Sequence, residues 1–78
     1  MIQIYRVIAP LNGQHAKREP VQVEAFEPGD LVIVLSSEDS YTTFCRYDES
    51  QTHISREQFI VSDLEFERCT ERHQGLVR

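Results

Sequence analysis

Apolar positions along the chain recur with a period near two and are rich in β-branched and aromatic residues, so the sequence predicts strands rather than helices. Ile2 to Ala9 forms the first, with Ile2 and Ile4 on one face and Tyr5, Val7 and Ala9 on the other, a pattern that requires a bulge or cover on both sides. Pro10 and Asn12-Gly13 end it, and Gln14 to Pro20 reads as a polar loop. Val21, Val23 and Ala25 alternate with Gln22, Glu24 and Phe26 in a second extended segment. Pro28-Gly29-Asp30 predicts a type II turn, because Pro fixes φ at its second position and Gly accepts positive φ at its third. Leu31 to Leu35 is a continuous apolar run, too short for a helix and suited to a central, covered strand.

Ser36 to Ser40 reads as a loop, Tyr41 to Tyr47 as a strand, Asp48 to Gln51 as a turn and Thr52 to Ile54 as a short strand. Ser55-Arg56-Glu57-Gln58 has capping-box spacing and predicts one helical turn that carries Phe59 and Ile60 onto the core. Leu64, Phe66 and Arg68 alternate with Glu65 and Glu67 as a last strand, and residues 70–78 read as a polar tail that frays. The expected fold is all-β: a small, strongly bent barrel of five to six strands, with one short 3₁₀ or helical turn before the last strand. It is expected to occupy residues 1–69 as a single domain, because closing the sheet hides its edges.

Composition narrows the class further. At 78 residues, 40% hydrophobic and 27% charged, the chain resembles a globular domain rather than a disordered segment. No apolar run approaches the roughly 20 residues that cross a bilayer. The first residues lack a basic segment followed by an apolar one, so the expectation is a cytoplasmic protein. The formal charge of −5 is unevenly spread. Residues 1–18 carry Arg6, Lys17 and Arg18 without an acid, while residues 19–49 carry acids against Arg46 alone. An acidic middle repels phosphates and disfavours direct nucleic-acid binding.

The order of elements is similar to the Src-homology-3-like (SH3-like) barrel. Phe26-Glu27-Pro28-Gly29-Asp30-Leu31-Val32-Ile33-Val34-Leu35 resembles the diverging turn and second strand of that family. Ser36–Ser40 then corresponds to the n-Src-like loop, residues 48–51 to the distal hairpin, Ser55–Phe59 to the 3₁₀ element, and Asn12–Pro20 to the RT loop. The resemblance implies a barrel over residues 2–67. The groove that binds proline-rich peptides in that family needs a tryptophan, and this chain has none; Tyr41 falls near that position, with Ser55, Arg56 and Phe59 near the other groove positions. A barrel used as an interaction or regulatory module is what remains implied.

The sequence holds none of the motifs for phosphate loops, hydrolase elbows or zinc helices. Cys45 and His53 stand on strands expected to pair, yet alternation turns Cys45 inward and leaves His53 to solvent, so the expectation is a non-enzyme without a cofactor. A metal or thiol site could draw on Cys45, His53, Cys69 and His73, although only Cys69-x3-His73 has ligand spacing. The leading expectation is a protein-interaction surface made by Tyr41 and Tyr47 with Glu24, Glu38 and Asp39. Tyr combines apolar area with a polar tip, and the carboxylates suit a partner with a basic or mixed surface. The alternatives are a nucleic-acid-linked role, through the Arg6/Lys17/Arg18 end or as an acidic mimic, and the metal site. A homodimer is compatible with a core extended across a two-fold axis.

Overall fold

The computed structural model describes residues 3–17, 19–48, 50 and 53–73, with His53 described by its backbone alone. Seven strands form one antiparallel sheet curled into an open half-barrel. They are β1 (Ile4–Val7), β2 (Leu11–His15), β3 (Val23–Phe26), β4 (Leu31–Glu38), β5 (Tyr41–Asp48), β6 (His53–Ser62) and β7 (Thr70–Arg72), and helix α1 (Asp63–Cys69) links the last two. The strand order is β3-β2-β6-β5-β4-β1-β7. The all-β expectation therefore stands, but the sheet has more strands than the five or six expected and is an open half-barrel, so its edges are not hidden by closure.

The inner face of the curl holds the main core: Val7, Leu11, Phe26, Val32, Phe44, Phe59, Phe66 and Cys69. All four phenylalanines meet there, and Phe44 touches each of the others with ring centroids 5.2–5.8 Å apart. Gly13 makes room for them. A Cβ at that position would lie 2.9 Å from Phe44 Cζ and 3.0 Å from Phe59 Cβ. Glycine at the middle of β2 thus marks close ring packing rather than the turn that Asn12-Gly13 suggested. Residues 11–15, expected as the end of a strand and a loop, pair with both β3 and β6.

Local chemistry explains the turns. Pro28-Gly29 sits in the expected turn, with Gly29 at φ +103° and the Asp30 N–H donating to Glu27 O at 3.0 Å. The expected loop over Ser36–Ser40 is shorter than its polar sequence suggests. Ser36, Ser37 and Glu38 pair with Thr43, Thr42 and Tyr41, leaving Asp39 and Ser40 as a two-residue turn. Both have positive φ, 53° and 69°, as a type I′ hairpin requires.

The second half departs most from expectation. Ser55–Phe59 lies within β6 rather than in a helical turn. The Ser55 hydroxyl accepts from the Glu57 N–H, two residues on instead of three, and Ser55–Glu57 bulges opposite Arg46. The true cap is Ser62, whose hydroxyl accepts from the Glu65 N–H at 3.2 Å. Asp63 and Glu65 favour the first turn and Arg68 the last. Residues 63–69 are consequently helix and not strand: Phe66 and Cys69, three apart, reach the core, while Leu64 stays 80% exposed. The Asp63 carboxylate accepts from Thr42 and Ser37 and ties the helix start to the β4–β5 hairpin. Thr70–Arg72, expected in the polar tail, pairs with β1. Among the described residues, no helix is long and apolar enough to cross a membrane.

Candidate functional site: the outer groove at Tyr41

Alternation along β5 sends Thr42 and Phe44 inward and Tyr41, Thr43, Cys45 and Tyr47 to the outer face. Across β6, Tyr41 opposes Ser62 and Thr43 opposes Ile60. Ile60 in turn opposes Gln14, and Gln14 opposes Val23. A row of side chains therefore crosses the sheet from Val23 through Gln14 and Ile60 to Thr43, and Tyr41 stands beside it. Val23, Gln14, Ile60 and Tyr41, together with Asn12, Val61 and Ser62, line a shallow groove of about 480 Å³. Tyr41 keeps 54% of its surface exposed and Val23 62%.

The groove lining combines one aromatic ring, aliphatic side chains, two amides and a hydroxyl. Such a surface offers contact area and hydrogen bonds, with no paired nucleophile and base for group transfer. Negative charge stands at its rim. Glu38 lies directly across the hairpin from Tyr41, and Asp39 occupies the adjoining turn. Both carboxylate residues are exposed.

Of the five residues expected to share one surface, the structure brings together Tyr41, Glu38 and Asp39. Tyr47 is six residues further along β5, about 20 Å away at strand spacing, and packs against Ile4, Ile33 and Cys45 in a small outer cluster. Glu24 turns to the opposite face. There Arg46 bonds Glu24 at 3.2 Å and Asp30 at 3.1 Å while its guanidinium lies 4.3 Å from the Phe26 ring centre. His15 stands between Glu24 and Glu57 at 3.9 and 3.7 Å, its ring tilted against Phe59. This polar belt closes one rim of the core. Alternation along β3 puts Glu24 on the Phe26 face, and the pairing through β2 and β6 carries that face to Phe44 rather than Tyr41. Alternation assigns faces within one strand but not which faces of different strands coincide.

The cysteines sit in separate places. Cys45 lies in the outer cluster and Cys69 in the main core, both as free thiols. Burial pushes the Cys45 thiol up, and burial together with the neighbouring Glu65 carboxylate does the same to Cys69 against an opposing effect of Arg68. Raised values disfavour the thiolate that both metal ligation and nucleophilic attack need. Among the described residues no three His, Cys, Asp or Glu side chains gather as a metal site, and the His53 side chain lies outside them. At the basic end, Arg6 pairs with Glu71 and Lys17 lines a separate recess with His15, Arg56 and Glu57, while Arg18 lies outside the described residues.

Sequence reasoning missed Val23, Gln14 and Ile60 as neighbours of Tyr41. Their available signal was the alternation of Val21, Val23 and Ala25, which gives them a shared face but not its neighbours. No protein-family model, curated protein or solved structure matches the chain.

Proposed function

We propose that this protein is a non-catalytic interaction or regulatory module of the SH3-like kind, binding a partner protein through the outer groove at Tyr41. The observation that carries the reading is Tyr41 itself: a half-exposed aromatic ring near Ile60 in a groove that reaches Val23 across the sheet, with Glu38 and Asp39 at the rim. Aromatic rings in shallow apolar surroundings concentrate binding energy, and rim carboxylates speed encounter with a basic or mixed partner surface. The partner's contact segment is accordingly expected to place an apolar side chain in the groove and a Lys or Arg near Glu38.

The test is affinity capture from native lysate with the wild-type chain beside Tyr41→Ala and Glu38→Lys. Tyr41→Ala is expected to weaken the captured interaction at least tenfold, about 1.4 kcal/mol. Glu38→Lys is expected to slow association and flatten its salt dependence. Unchanged capture by both folded variants removes the assignment to this face.

A further inference from the structure

We infer that the free edge of β3 pairs with the same edge of a second copy, giving a two-fold dimer in which Val23 faces Val23 of the other copy. Among the described residues β3 ends the sheet, with β2 on its one paired side. The His15 N–H donates to Gln22 O at 2.8 Å, which fixes the alternation: Gln22, Glu24 and Phe26 direct their backbone groups to β2. Val21, Val23 and Ala25 therefore turn their N–H and C=O groups away from the sheet. An edge left in this state is a template for another strand. Its side chains are equally unguarded, since Val21 and Val23 are both highly exposed, and no Lys or Pro stands among residues 21–26 to block pairing.

The occupant follows from register. Only outward-turned residues can exchange bonds, so a two-fold antiparallel pair has a short menu. Centring on Gln22 joins only residues 21–23. Centring on Glu24 sets two carboxylates directly opposite one another, which is destabilising. Centring on Val23 pairs Val21 with Ala25 at both ends and uses all the outward backbone groups from Val21 to Ala25. It also sets Gln22 opposite Glu24, an amide donor against a carboxylate acceptor. The segment is thus self-complementary in backbone, apolar contact and side-chain hydrogen bonding. In the dimer the sheets run on edge to edge, and the two Tyr41 grooves lie on one continuous outer face. The inference shares Val23 with the partner groove, but self-association is read without any partner present and Tyr41→Ala leaves it standing, so the two readings fail separately.

A pairing of about five residues per copy belongs to the small, weak class of interfaces, with Kd between about 1 μM and 1 mM. Sedimentation equilibrium of the wild-type chain up to about 1 mM is expected to show a concentration-dependent dimer. Val23→Pro removes an outward N–H without touching the bonds to β2 and is expected to give a folded monomer by circular dichroism. Val23→Lys, which sets two ammonium groups against each other, is expected to do the same and serves if the proline variant does not fold. Under mild oxidation Val23→Cys is expected to cross-link as a dimer, because hydrogen-bonded antiparallel partners stand about 5.5 Å apart at Cα, within disulfide reach. Val21→Cys, whose symmetry mate is about 14 Å away at strand spacing, is expected to remain uncross-linked, as is the wild type with its buried thiols. Tyr41→Ala is expected to stay dimeric. A wild-type chain that is monomeric up to about 1 mM, or a dimer that persists in folded Val23→Lys, overturns the proposal.

Discussion

The inner and outer faces of the sheet are built by the same strands, yet they hold apolar side chains under different conditions. On the inner face, the curl and helix α1 enclose four phenylalanines around Gly13, and Arg46 and His15 close the rim with carboxylate partners. On the outer face, Ile4, Ile33 and Cys45 form a smaller cluster, against which Tyr47 and Leu31 pack, and the apolar surface continues outward to exposed Tyr41 and Val23. The inner face fixes the fold. The outer face is covered where the strands are longest and open where they end, which is where a binding surface can form without weakening the core.

The largest expected effect tests that asymmetry directly. Phe44→Ala, which removes the ring at the centre of the aromatic group, is expected to cost about 3–5 kcal/mol, while Ile33→Ala is expected near the lower end of the aliphatic range, about 2 kcal/mol. Urea unfolding of the two variants measures the difference, and equal losses would show that the outer cluster is as well enclosed as the core. Next comes pH. An unfolded thiol titrates near about 8.5, and burial raises both thiols in the folded chain. The unfolded chain therefore loses its protons first, so the thiol contribution is complete below that pH and is lost as pH climbs through the raised folded values. Stability measured by urea unfolding from pH 7 to 10 is expected to decline, with a shallower alkaline slope in Cys45→Ala. The smallest effect belongs to the hairpin beside the groove. Ser40→Gly relieves a positive φ of 69° and is expected to stabilise by up to about 1 kcal/mol, read as a higher melting temperature with the sheet unchanged.

What was legible in the sequence was local. The turn at Pro28-Gly29 and the strands on either side of it follow from residues that touch one another along the chain, and so does the tie between Glu38, Asp39 and Tyr41. The stretch from Ser55 to Cys69 was not legible because two readings fit it. Leu64 and Phe66 satisfy a period of two with Glu65 and Glu67 between them, whereas Phe66 and Cys69 satisfy a helical spacing. The choice is made by β6, which runs on to Ser62 because β5 supplies partners for it as far as Tyr41, about twenty residues earlier in the chain. Ser55 and Ser62 offer the same hydroxyl. Pairing with β5 turns the first into a bulge and lets the second begin a helix. Val23 and Ile60 joined the groove for a similar reason, since β2 carries the row between them.

The placement of β1 between β4 and β7 has a kinetic consequence. Tyr5 pairs with Val32 on one side and with Arg72 on the other. The first pairing closes a short loop, and the second must wait until a far longer stretch of chain has been organised, because closure entropy rises with the length enclosed. Contacts of such long sequence separation slow folding. Until β7 arrives, Ile4–Val7 is itself the edge of the sheet opposite β3; docking of the last strand passes that edge to the three residues Thr70–Arg72, where exposed Glu71 and Arg72 make it a poorer template for another chain.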